Sequence, residues 1–160
     1  NQGRGSTMTT DYITTEFKSI MEDKTWEFPL NTAMACTWAI GNLKGINLKV
    51  LDLDGKSSLA DYFVIGSATN STQAQSMATT IIKQLKHNGV TNINCEGLSG
   101  QDWILVDTGD IIIHIFLDTA REAYDLDSVW NDSKTIEIPE SFYFEAPQES
   151  QVSNEEKSYF

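Results

Sequence analysis

Residues 102–116 read Asp-Trp-Ile-Leu-Val-Asp-Thr-Gly-Asp-Ile-Ile-Ile-His-Ile-Phe, two alternating runs around a Thr-Gly pair, which is the pattern of a β-hairpin. A two-residue turn at Thr108-Gly109 pairs Asp107 with Asp110, Leu105 with Ile112 and Trp103 with His114, all on one face. The other face then holds Ile104, Val106, Ile111, Ile113 and Ile115. Being wholly aliphatic, it must lie against a helix. The first face mixes a Trp, a His and two facing acids, so it is either packed beneath a layer that tolerates polar groups or presented to a partner.

The covering helix lies upstream. Asn70 or Ser71 opens a segment with Ala74, Met77, Ala78, Ile81, Ile82 and Leu85 on one side, and Asn88-Gly89 stops it. Two strands precede it. Leu48, Val50, Leu51 and Leu53 form one, ended by the Asp54-Gly55 turn, and Tyr62 to Gly66 forms the other. Ser58 followed by Asp61 resembles a capping box that opens a short turn between them. A brief strand at Ile93 to Glu96 and the Gly97 to Gly100 loop lead into the hairpin. Strands alternating with a long helix imply an α/β layered domain. Asn31 is a candidate cap for an earlier helix with Ala33, Cys36, Ile40 and Leu43 on its stripe. Asp118 and Asp127 are candidate caps for two short helical turns ending at Trp130.

With 160 residues, the chain suffices for one domain with tails and is too short for two ordinary ones. Residues 1–30 read as an N-terminal extension. Its first seven residues precede Met8 and read as a cloning remnant, and Ile13, Phe17, Ile20 and Met21 predict a helix within 11–26. The domain is expected over 31–133, and 134–160 is expected to be an acidic, disordered tail. Phe142, Tyr143 and Phe144 form an aromatic cluster within it.

Asp and Glu number 23 against 11 Lys and Arg, and the surplus extends along the whole chain: five acids to three bases in 1–30, twelve to seven in 31–136, six to one in 137–160. Such a surface repels phosphates, which argues against nucleic acid as the main ligand and favours a basic protein partner. The longest apolar run, Ile111 to Leu117, is interrupted by His114 and is far short of a membrane span, and no signal pattern opens the chain. The expectation is a soluble, unexported protein with no membrane partner. Two cysteines and two histidines without metal-ligand spacing exclude a structural zinc site.

Three local patterns admit an enzyme reading, and each has a plain structural counterpart. Asp52 and Asp54 point to one side of a strand and could share a magnesium ion, or could cap the strand end and its turn. Ile65-Gly66-Ser67 before a helix could seat a phosphate, yet lacks the further glycines and lysine of a phosphate loop. His114 has no matching nucleophile motif, and a His among isoleucines commonly serves structure. Like charges facing across a hairpin are destabilising, so Asp107 and Asp110 need compensation. An Asx-type bond to the turn backbone and a cation on a partner both supply it, with Trp103 a suitable anchor for the latter.

Leu51 to Ile65, Cys95-Glu-Gly-Leu, residues 102–116 and Arg121-Glu-Ala-Tyr-Asp-Leu together resemble the ribosomal silencing factor family, also called Iojap-like, over roughly residues 31–133. The resemblance implies a single α/β domain with a mixed, roughly five-stranded sheet flanked by helices. That fold is nucleotidyltransferase-like but lacks the catalytic acids, since Gln75-Ser-Met-Ala-Thr-Thr follows where they would stand. It implies binding to the large ribosomal subunit through its protein number fourteen, steric hindrance of joining with the small subunit, lowered translation, and no cofactor. The family pattern maps onto Trp103, Asp107, Gly109, Asp110 and His114 as partner-binding residues, with Asp61, Ser58 and Gly97 structural. Family members form dimers, so a homodimer is a further expectation. The location implied is the cytoplasm, or an organellar stroma or matrix for a eukaryotic source. The competing readings are a large-subunit assembly factor and a divergent magnesium-dependent nucleotide-binding enzyme.

Overall fold

The computed structural model describes residues 2–144. Six strands form one sheet: β1 (Ile46–Asp52), β2 (Tyr62–Ala68), β3 (Asn94–Glu96), β4 (Trp103–Asp107), β5 (Ile111–Leu117) and β6 (Lys134–Thr135), in the order β3-β4-β5-β2-β1-β6. Only β2 and β5 pair in parallel; the other neighbours are antiparallel. The α/β class and the mixed sheet are as expected, with a sixth strand supplied by β6. The central parallel pair is buried along almost its whole length, which is why both strands are near-continuous apolar runs rather than alternating ones.

One face of the sheet carries α2 (Leu30–Asn42) and α3 (Ser71–His87). The hairpin's aliphatic set, Ile104, Val106, Ile111, Ile113 and Ile115, joins one core with Ala74, Met77, Ala78, Ile81 and Leu85 of α3, as its periodicity required. Asn70 caps α3, its side chain accepting the Gln73 N–H at 2.8 Å. Residues Thr32 to Gly41 of α2 are all buried, so this helix is covered on every side. Its outer cover is α1 (Gln2–Met21), which brings Phe17 and Ile20 into the core and sets Tyr12 edge-on to Trp38. Burying side chains such as Phe17 and Ile20 stabilises the fold by roughly 1.5–3 kcal/mol each. The expected cap Asn31 lies inside α2. Its amide donates to the Met21 carbonyl and its Oδ1 accepts the Thr32 N–H, both at 2.8 Å, which ties α2 to the end of α1.

Residues 134–144, expected as tail, instead belong to the fold. β6 pairs with β1, and a 3-10 turn (Glu140–Phe142) buries Phe142 against Trp26. The rest of the expected acidic tail, 145–160, lies outside the described residues. Between β1 and β2 the turn's side-chain bond comes from Ser57, whose Oγ accepts the Leu59 N–H, rather than from Ser58.

The hairpin register differs from the expected one by two residues. Asp107 pairs with Ile112, Leu105 with His114 and Trp103 with Phe116. Thr108 extends the ladder, its N–H donating to the Ile111 carbonyl at 3.0 Å and its hydroxyl accepting the Ile111 N–H. The two-residue turn is therefore Gly109-Asp110, with Gly109 at φ +95° in the position a type II′ turn reserves for glycine. A shift of two preserves which residues share a face. It abolishes the confrontation of Asp107 with Asp110.

Candidate functional site

The second face of the sheet carries a smaller core of Leu51, Leu53, Ala60, Phe63, Ile65, Ile112 and Phe116, with Trp103, Leu105, Leu126 and Trp130 packed against it. Its cover is α4 (Asp118–Tyr124) and α5 (Leu126–Val129), joined through Asp125 in a left-handed conformation. Eleven helical residues cannot span six strands. Among the described residues, the face toward β3 and β4 stays partly open.

In that opening Trp103 is half-buried, stacked on Phe116 at 5.0 Å between centroids and tilted against Tyr124 at 4.9 Å. Its indole N–H donates to His114 Nδ1 at 3.1 Å. An indole nitrogen only donates, so Nδ1 is bare and the imidazole proton sits on Nε2. His114 is 3% exposed with its ring edge-on to Phe63, and Nε2 has no hydrogen-bond partner among the described residues. An unpaired buried donor costs about 1–3 kcal/mol. Burial pushes the His114 pKa down to about 4, so the ring is neutral at pH 7.

Cross-strand pairing places Glu96 beside Leu105, and Asn94 beside Asp107, on the same face as Trp103. Glu96, Gly97, Gln101, Trp103 and Leu105 line a groove of about 330 Å³. Gly97 has φ +82°, and a Cβ there would collide with the Trp103 carbonyl, so the β3–β4 link can pass this close only with glycine. The half-buried Asp107 carboxylate accepts the Gly109 N–H at 2.8 Å, the Asx-type arrangement. Asp110 is exposed at the turn, and its carbonyl accepts the Asp61 N–H at 2.8 Å, fastening the entry to β2 onto the hairpin tip. The structure thus gathers Trp103, Asp107 and His114 on one face, with Gly109 and Asp110 at its end. Ser58 stands apart, exposed in the β1–β2 link.

A polar anchor on the same face, at the β1–β2 side, was not anticipated. Arg121 of α4 donates to both carboxylate oxygens of Asp127 at 3.2 and 3.1 Å, to Ser67 Oγ at 3.0 Å and to the Asn47 carbonyl. Lys49 Nζ reaches Asp127 at 2.9 Å. Hydrogen bonds from Arg121, more than the Lys49 contact, hold the Asp127 pKa down at about 2. Arg121 thereby engages the Ser67 hydroxyl near the end of β2. A six-residue spacing matches no helical period. The left-handed Asp125 between the two short helices brings these partners together, and the one sequence signal for it was the acid there, a residue type that tolerates αL.

Asp52 is likewise engaged, its Oδ1 accepting the Asp54 N–H at 2.9 Å. Among the described residues no group of three or more His, Cys, Asp or Glu is placed to hold a metal ion. Cys36 is buried, which pushes its thiol far above the usual range, and Cys95 is raised by burial too. No described helix is long and apolar enough to cross a membrane.

Comparison with known proteins adds independent observations. The family model described as RsfS, ribosomal silencing factor during starvation, matches residues 28–159. The chain is 38% identical over 91 residues to the ribosomal silencing factor RsfS of Haemophilus influenzae, covering 57% of this chain and 89% of that protein. It is 33% identical over 84 residues to the mouse protein named mitochondrial assembly of ribosomal large subunit protein 1, covering 51% of this chain and 37% of that one. A solved structure of a Chromobacterium violaceum protein superposes with a TM-score of 0.61 at 26% identity, over 64% of this chain and 85% of the other.

Proposed function

Because this chain belongs to the RsfS family of ribosomal silencing factors, we propose that it represses translation by binding the large ribosomal subunit through protein number fourteen and blocking its joining with the small subunit. The observation that carries the contact is the open part of the second sheet face. Trp103, Leu105 and Tyr124 offer apolar and aromatic surface there, and Glu96, Asp107 and Asp110 supply acidic groups around it. Trp and Tyr at the centre of a surface with charges at its rim is the composition of an interface hot spot. The acids suit a basic protein, and the net charge of −12 speeds encounter with such a partner while repelling ribosomal RNA.

The role requires occupancy rather than chemistry. A folded domain seated on the joining surface prevents a large rigid-body docking by volume alone. The site of action is wherever ribosomal subunits join, in the cytoplasm or in an organellar matrix or stroma. Self-association through the same face would compete with the ribosome, and sedimentation of the protein alone reads it.

The test is a density gradient of the protein with isolated large and small subunits at two salt concentrations. Co-migration with the large subunit alone, weakened by salt, together with loss of joined ribosomes, supports the proposal. Protein left at the top of the gradient at low salt overturns it. The similarity to a protein named for large-subunit assembly favours one second reading, a role in large-subunit maturation. Co-migration with precursor particles and not with mature subunits would select it.

A further inference from the structure

The hydrogen bond between the hairpin strands constrains how Trp103 can be read by a partner. Trp103 and His114 are diagonal neighbours, Trp103 standing opposite Phe116 and His114 opposite Leu105. The indole has one polar atom, and it is spent on His114 Nδ1 at 3.1 Å. Phe116 and Tyr124 pack on the same indole at 5.0 and 4.9 Å. Three contacts from β5 and α4 thus fix the ring while it remains half-exposed in the groove with Leu105 and Glu96.

His114 is an unfavourable choice if packing alone is its purpose. It sits 3% exposed among Phe63, Phe116 and Trp103, with Nε2 lacking a partner among the described residues. The neighbouring inward positions of the same strand, Ile112 and Phe116, are filled by apolar residues, and an apolar side chain at 114 would leave no donor stranded. What an apolar residue cannot do is accept the indole N–H.

We propose that His114 is a positioning residue for Trp103, holding the indole N–H through Nδ1 so that the partner meets the ring face and edge of Trp103 and never a free hydrogen-bond donor. The group complementary to such a surface is an apolar side chain or a cation laid over the ring, and not a hydrogen-bond acceptor. This inference rests on the reading of the second sheet face as the ribosome-binding surface.

Two variants separate positioning from packing. His114→Leu removes the acceptor; His114→Asn places an amide oxygen close to the position of Nδ1. Both are first checked for fold by circular dichroism. Then the Trp103 indole N–H is followed by nitrogen-proton NMR, assigned by its loss in Trp103→Phe, and large-subunit affinity is measured by sedimentation. The expected result is a protected indole N–H in the unsubstituted protein, lost in His114→Leu and retained in His114→Asn. Affinity falls about tenfold or more in the first and stays within about threefold in the second. Unchanged affinity of a folded His114→Leu protein overturns the proposal, as does an indole signal that is indifferent to residue 114. If the unsubstituted protein itself does not bind the large subunit, the functional reading fails instead, and the indole signal still decides whether His114 holds Trp103.

Discussion

Acidification from pH 7.5 to 5 should destabilise this fold through one side chain, His114. A free imidazole titrates near 6.5, whereas the buried one waits until about 4. Between those values the unfolded chain binds a proton that the folded chain refuses, so stability falls as pH drops through 6.5 and this contribution is fully lost near 4. Linkage gives about 2 kcal/mol by pH 5 and about 3 kcal/mol in full. The Asp127 carboxylate, held at about 2 by Arg121, also loses its contribution on acidification, but only below the ordinary carboxylate value of 3.8. The two windows do not overlap. Urea unfolding followed by far-ultraviolet circular dichroism at pH 7.5, 6.5, 5.5 and 5.0 reads the first window alone. The unsubstituted protein should lose roughly 2 kcal/mol across it and His114→Leu should lose much less. Parallel losses in the two proteins would refute the assignment of a neutral, buried imidazole, as would a His114 ring signal titrating above pH 6.

Other perturbations probe the rest of the face and its anchors. Asp107→Lys should weaken large-subunit binding strongly and Asp107→Asn less, because charge is lost in both but reversed in only one; equal affinity of all three proteins in the gradient assay removes Asp107 from the contact. Arg121→Ala should lower the urea midpoint by an amount worth roughly 2 kcal/mol, since it strips hydrogen bonds from Asp127, Ser67 and Asn47 together; an unchanged midpoint means α4 and α5 are held by packing alone. Phe142→Ala should cost about 3 kcal/mol in the same assay, because Phe142 is 6% exposed against α2 and Trp26; a loss below about 1 kcal/mol would show that residues 134–144 are dispensable to the core.

Local pattern carried far in this chain. Apolar alternation located β4 to the residue, and the 3.6 period with a start at Asn70 or Ser71 located α3, for which the structure selects Asn70 as the cap. Placement of Trp103, Asp107 and His114 on one face followed from parity alone. Periodicity misjudged the ends. Asn31 proved to be a tie between helices, and residues 134–144 joined the sheet and core although their sequence has no period, because one buried Phe and a two-strand pairing suffice to dock a short segment.

Faces are thus written in the sequence because side chains alternate every residue along a strand, a property each strand has before it meets any other. Alternation does not give register, since moving the hairpin by two residues leaves every face intact; the turn does, with Gly109 at φ +95° in the first central position and Thr108 bonding Ile111. The parallel marriage of β2 to β5, the enclosure of α2 by α1 and Phe142, and the grip of Arg121 on Asp127 and Ser67 all join residues distant in sequence or separated by a left-handed corner. No local period encodes such contacts. They exist because the assembled tertiary structure brings those groups together.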